Sequence, residues 1–245
     1  PRRPGVAAAA AGGQDSVGLR CPSHPVAQAV LRQAQALGVL GVAAPSANGF
    51  GRVSPTTADH VAQEFGPDLL VLDGGACEVG IESTIVDCTR AEPVLLRPGV
   101  LTPAQLSQAC GQQVVVSAAL RGQLDPQAPR ASGTLESHYA PHARVRLIAA
   151  DALPAAFDDW TRHSDASATL GLWFCAPVEL PSELAQRAHQ QRMPADAAAC
   201  AHALFAQLRW FDAQAVTEIW VEPPPANPAW DGVRDRLTRA ATPVR

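Results

Sequence analysis

The stretch Leu69-Leu70-Val71-Leu72-Asp73-Gly74-Gly75-Ala76-Cys77-Glu78-Val79-Gly80, continued by Ile81-Glu82-Ser83-Thr84-Ile85-Val86-Asp87, sets the class of the fold. Residues 69–72 and 83–86 are short runs of apolar and β-branched side chains and read as strands. Between them, residues 73–80 contain glycines that permit the unusual backbone angles of a turn and loop. Working outward, residues 57–65 read as a short helix. Residues 42–44 read as a buried strand, closed by the turn-forming Pro45-Ser46-Ala47-Asn48-Gly49. Residues 24–37 read as a helix, because Val26, Val30, Leu31 and the alanines form an apolar stripe near the 3.6-residue period. Downstream, residues 102–110 read as another helix, with Thr102 and Pro103 at N-cap and first-turn positions. This alternation predicts an α/β domain.

The periodicity weakens over residues 112–143, where Gly, Pro, Ser and charged residues mix, and this segment reads as an interdomain linker. Within it, Ser137-His138-Tyr139-Ala140-Pro141-His142 is denser in aromatic and polar side chains than a passive linker needs. Beyond it, residues 145–148, 169–174 and 216–221 read as strands and residues 195–211 and 231–240 as helices, a second small α/β domain. In the longer helix Ala201, Leu204, Phe205, Leu208 and Phe211 line one face, the pattern of core packing. The predicted division is therefore 1–111, 112–143 and 144–245.

The chain has 245 residues, 47% of them hydrophobic and 17% charged, enough to bury a sizeable core. No apolar run approaches the roughly 20 residues that cross a bilayer, and the alanines at 7–11 are too few and too weakly hydrophobic for a leader. A cytoplasmic protein with no membrane partner is expected. The six cysteines stand far apart with no CxxC pair, which argues against zinc and for buried free thiols. A net charge of -4 lacks the positive excess of a protein that grips nucleic acid over its whole surface. All 19 basic residues are arginine, so chemistry that requires a lysine is excluded. The opening Pro1-Arg2-Arg3-Pro4 reads as the interior of a longer protein.

Three segments combine glycine, hydroxyl side chains and arginine, the set that binds phosphate through amides, neutral donors and positive charge. They are Ser16-Val17-Gly18-Leu19-Arg20, the run from Ala44-Pro45-Ser46-Ala47-Asn48 to Ser54-Pro55-Thr56, and Glu82-Ser83-Thr84 with Arg97-Pro98-Gly99. Singly, each also reads as a turn, a helix cap or a solvated arginine, and neither a Walker A loop nor a GxGxxG fingerprint is present. His138 and His142 stand four apart, but Pro141 disfavours a helix that would bring them to one metal. The five tryptophans do not share a face and read as core. Asp158, Asp159 and Asp212 read as solvated or capping carboxylates.

Taken in order, these segments, with Leu72-Asp73-Gly74-Gly75 and Glu82-Ser83-Thr84-Ile85-Val86-Asp87, resemble the YrdC-like domain of threonylcarbamoyl-AMP synthases. Ser137-His138-Tyr139-Ala140-Pro141 resembles the linker motif of the two-domain form, and Asp235-Arg236-Leu237 resembles its C-terminal domain. The resemblance implies an incomplete YrdC-like twisted mixed sheet with helices, then a linker and a small Rossmann-like α/β domain. It implies that Ser16, Ser46, Ser54 and Arg97 contact ATP, that Tyr139 reaches the nucleotide from the linker, and that Arg20, Ala44 and Thr84 hold threonine. Ser83 is a secondary candidate, and Asn48 is expected to shape its loop. The implied reaction joins L-threonine, bicarbonate and ATP into threonylcarbamoyl-AMP and pyrophosphate, with magnesium accompanying the ATP. The product passes on toward adenosine in tRNA, so tRNA or a downstream threonylcarbamoyl transferase is a candidate partner. The family also carries an N-terminal KxR-type segment that this sequence lacks, so the chain is expected to be impaired and to fold poorly. Two other readings stand beside this one: a non-catalytic RNA-binding YrdC-like module, and a carbamoyl-adenylate enzyme of the hydrogenase-maturation type.

Overall fold

A computed structural model describes residues 1–5, 7–123, 125, 128–133 and 138–242 of the chain. Its first sheet is small and mixed. Strand β1 (Ile85–Asp87) pairs antiparallel with β2 (Val94–Arg97), which pairs in parallel with β3 (Val115–Val116). Around it lie α1 (Pro25–Ala36), α2 (Ala58–Phe65) and α3 (Pro103–Cys110). Local chemistry explains where two of these helices begin. The Thr57 hydroxyl accepts the His60 N–H at the head of α2. At α3, Thr102 and Gln105 form a reciprocal capping box, and Gly111 closes the helix at φ 69°.

The second sheet is wholly parallel and has the order β4-β7-β5-β6, from β4 (Arg144–Leu147), β5 (Leu170–Phe174), β6 (Ala188–Arg192) and β7 (Glu218–Val221). Helices α4 (Leu153–His163), α5 (Ala197–Ala213) and α6 (Asp231–Ala241) cover it. The side chains of β5 and β7 alternate between two cores. Leu170, Leu172, Phe174 and Trp220 face Phe157 and Trp160 of α4. Trp173, Ile219 and Val221 face the core that holds Phe205, Phe211 and Leu237. That second core also takes in Val53 and Ile81 from loops of the first domain and Tyr139 from the linker.

Several expectations need correction. Residues 42–44 and 69–72 are not strands: among the described residues neither segment pairs with a neighbour, and Val42 and Leu70 are 56% and 87% exposed. Apolar runs become strands only when a partner accepts their backbone hydrogen bonds. Strand β6 escaped the sequence reading because Ala188-His189-Gln190-Gln191-Arg192 is polar, as suits an edge position. The cysteines are not buried as a set. Cys21, Cys77, Cys88 and Cys110 are exposed because they sit in loops or at a helix end, and only Cys200 is fully buried, its thiol pushed up to about 12 mainly by burial. Asp212 acts as a cap: its carboxylate accepts the His142 N–H at 2.8 Å and the Ala143 N–H at 3.2 Å where the linker enters β4.

Candidate active site

The segment after α1 that leads into α2 carries Ser54, which is buried against the second domain. Its hydroxyl donates to Glu82 Oε1 at 2.5 Å. Its backbone is held by Arg209 of α5, whose guanidinium donates to the Val53 carbonyl at 2.5 Å and the Ser54 carbonyl at 3.4 Å and pairs with Glu64 of α2 at 3.3 Å. Just upstream, the Asn48 amide donates to the Gly49 and Arg52 carbonyls and so shapes its own loop.

Glu82 precedes β1 and joins both domains. Its second oxygen accepts Arg236 Nε at 3.0 Å, and its backbone carbonyl accepts Arg236 Nη2 at 3.2 Å. Two residues on, the Thr84 hydroxyl donates to the Leu101 carbonyl at 3.4 Å. Gly99 packs directly on Thr84: a Cβ there would lie 2.6 Å from both the Thr84 nitrogen and its hydroxyl oxygen, so only glycine fits.

Arg97 closes β2 and is 2% exposed. It donates twice to the Ser83 carbonyl, at 3.1 and 2.8 Å, and once to the Ser132 carbonyl at 2.9 Å. Burial, with the Arg236 charge, lowers its pKa. Tyr139 is 1% exposed and sits at φ 61°. Its ring lies 5.3 Å from Phe205 and 5.4 Å from the Arg236 guanidinium carbon. Its hydroxyl rests where a Cβ of Gly133 would stand and has no hydrogen-bond partner among the described residues. Burial pushes this phenol up to about 12 and lowers the pKa of the neighbouring His138. The phenol is therefore uncharged at neutral pH, with the Glu82 and Asp235 carboxylates and the Arg97 and Arg236 guanidinium groups around it.

Ser54, Arg97 and Tyr139 thus converge on one network through Glu82, Ser83 and Arg236, while Thr84 lies beside it, bonded to Leu101 and packed by Gly99. Arg20 is exposed, yet its charge acts on Arg97. Ser16 is half-buried, and Ala44 and Ser46 are exposed in segments without regular structure. Among the described residues no hydrogen bond ties Ser16, Arg20, Ala44 or Ser46 to the network. Ser83 contributes its carbonyl while its side chain stays exposed. Ser137 lies outside the described residues. Sequence reasoning gave no role to Glu82, Arg209 or Arg236. For Arg236 a signal was present: Val233, Arg236, Leu237 and Ala240 follow the i, i+3, i+4, i+7 spacing of a buried helix face, with an arginine in an apolar position.

The family model described as threonylcarbamoyl-AMP synthase, C-terminal domain, matches residues 101–242, and one described as telomere recombination matches residues 1–99. The chain belongs to the threonylcarbamoyl-AMP synthase family. It is 38% identical over 138 residues to the threonylcarbamoyl-AMP synthase of Pyrococcus abyssi, a match covering 56% of this chain and 39% of that one. It is 38% identical over 136 residues to the Bacillus subtilis protein of the same name, covering 55% and 37%. The match thus spans about two fifths of these relatives' length. The crystal structure of P. abyssi Sua5 complexed with L-threonine aligns with a TM-score of 0.77 and 28% identity, over 94% of this chain and 65% of that one. A variant of that protein with a histidine and the following tyrosine both changed to alanine aligns with the same TM-score and 26% identity, over 94% and 64%. Tyr139 is the single tyrosine of the present chain, so His138-Tyr139 is its one His-Tyr pair.

Proposed function

We propose that this chain carries the activity that makes L-threonylcarbamoyl-AMP from L-threonine, bicarbonate and ATP. The observation that carries the proposal is the convergence of Ser54, Arg97 and Tyr139 on one arginine-rich, partly buried network, with Thr84 beside it, in a member of this family. The relative solved with L-threonine supports an amino-acid substrate.

In this reading the threonine amine and bicarbonate condense to a carbamate and water. A carbamate oxygen then attacks the α-phosphorus of ATP, the bond to the bridging oxygen breaks, and pyrophosphate leaves. The carbamate is already anionic, so the step needs alignment and charge neutralisation more than a strong base. Thr84, Arg20 and Ala44 hold threonine, and Ser16, Ser46, Ser54, Arg97 and Tyr139 contact ATP. Fixed arginines and neutral hydroxyl donors suit an incoming polyanion, because they need little reorganisation as charge shifts to the leaving group.

Magnesium enters as the counter-ion of the ATP phosphates. The described residues contain no group of three or more His, Cys, Asp or Glu side chains placed for a metal, and Glu82 is already engaged by Ser54 and Arg236. Magnesium commonly binds through substrate phosphates with few protein ligands. The adenylate then passes to a transferase that modifies adenosine in tRNA, in the cytoplasm.

Pyrophosphate release from ATP with L-threonine, bicarbonate and magnesium tests the proposal, measured on this chain and on a form extended at its N-terminus. Threonine-dependent release in either form supports the synthase. Folded protein that releases none in both forms, yet binds tRNA with steep salt dependence and no response to ATP or threonine, establishes an RNA-binding module instead.

A further inference from the structure

Arg236 is the most deeply buried charge in the interface between the two sheets, 0% exposed although it lies on α6 of the second domain. Its guanidinium reaches 154 residues back along the chain to Glu82 and 138 residues back to the Pro98 carbonyl, 2.6 Å away. On its own helix it donates to Asp235 at 2.9 Å, and Arg239 holds that carboxylate from the other side at 2.9 Å. A buried guanidinium is costly to desolvate and persists where its donors are satisfied, as they are here. What the contacts join matters more than their number. Glu82 fixes the Ser54 hydroxyl, and Pro98 stands between Arg97 and Gly99, the glycine that packs on Thr84. The same side chain lies under the Tyr139 ring.

Resting on the synthase reading, we infer that Arg236 is a positioning residue for the ATP-binding segments of the first domain. It acts through Glu82 on Ser54, and through Pro98 on the segment that carries Arg97. This gives the C-terminal domain a defined part in the reaction: it supplies the arginine that sets the spacing between residues 54, 82–84 and 97–99. Arg209 of the same domain complements it by holding the Ser54 backbone. A lysine at 236 would keep the charge but lacks the planar fork that spans Glu82 and Pro98 together.

The test uses the full-length protein with Arg236→Gln, Arg236→Lys, Ser54→Ala and the Ser54→Ala/Arg236→Gln double variant. Positioning through Glu82 predicts that Arg236→Gln raises the KM for ATP about tenfold while kcat changes less than about threefold. Arg236→Lys is expected to fall between Gln and wild type. Because both single changes break the same chain of contacts, the double variant should raise KM less than the product of the single effects. A merely structural arginine would lower the active fraction instead, so a fall in kcat at constant KM, or fully multiplicative effects, overturns the inference. Amide hydrogen exchange of residues 81–84, 97 and 99 gives a readout that needs no activity. Faster exchange there in Arg236→Gln, or in Arg236→Lys should the Gln variant not fold, supports the inference, and wild-type protection overturns it. If the wild-type protein releases no threonine-dependent pyrophosphate, the synthase reading fails, and the exchange arm still decides whether Arg236 holds these segments.

Discussion

Replacing Gly80 by alanine probes how closely the loop before Glu82 sits on α5. Gly80 has φ 82°, and an added Cβ would stand 2.3 Å from the His202 carbonyl oxygen, 2.5 Å from the Ala201 carbonyl oxygen and 2.5 Å from His202 Cα. These are backbone atoms of a helix and cannot rotate away. The His202 ring adds a second tie, with Nδ1 2.8 Å from the Glu78 carbonyl oxygen. Relieving the overlap requires loop and helix to part by roughly 1 Å, and overpacking of that kind costs about 1–3 kcal/mol. Placing alanine at positive φ adds about 1–2 kcal/mol, for a total of about 2–5 kcal/mol by these two contributions. Gly75→Ala is the matched control: its φ is 88°, and nothing lies within 4 Å of its added Cβ, so it bears the backbone strain alone. Urea unfolding of both variants isolates the contact, with Gly80→Ala the less stable by about 1–3 kcal/mol. Stabilities equal within about 0.5 kcal/mol would refute the close docking of this loop on α5.

Two further outcomes follow from buried polar groups. Because the Tyr139 hydroxyl has no partner among the described residues, Tyr139→Phe should leave the ligand-free chain unchanged or stabilise it by up to about 2 kcal/mol, while raising the KM for ATP. A clear loss of thermal stability without ligand would show that the hydroxyl is satisfied. For Asp87, burial raises the carboxyl pKa, but donors from Thr89 and Arg90 outweigh it and leave the folded value below the ordinary one. The stability it contributes is therefore complete above the unfolded value of about 3.9 and is lost as pH falls through the lower folded value. Asp87→Asn should cost about 1–3 kcal/mol at pH 7, with the gap narrowing in denaturation curves below about pH 4. A gap independent of pH would mean the charge of Asp87 contributes nothing.

The candidate site was legible in proportion to how local its signals are. Ser54, Thr84, Arg97 and Tyr139 each stand in a short motif that can be read in place, and the structure brings Ser54, Arg97 and Tyr139 onto one network with Thr84 beside it. Glu82 was visible inside Glu82-Ser83-Thr84 but had no role until its two oxygens were seen to divide between Ser54 and Arg236. Arg209 gave no such signal, because its partners lie about 155 residues away, at Val53 and Ser54.

The sequence by itself determined the helices whose ends carry their own chemistry, as with Thr57 before α2, Thr102 and Gln105 at α3, and Asp196 before α5, which accepts the Ala199 N–H. It also determined the apolar strands β5 and β7 and the family motifs, since caps, periodicity and motifs are set by residues a few positions apart. Tertiary structure alone decided that residues 42–44 and 69–72 stay unpaired while the polar run 188–192 becomes a strand. It also decided that Arg236 is buried, because strand pairing and the desolvation of a charge depend on whatever partners the whole chain brings alongside.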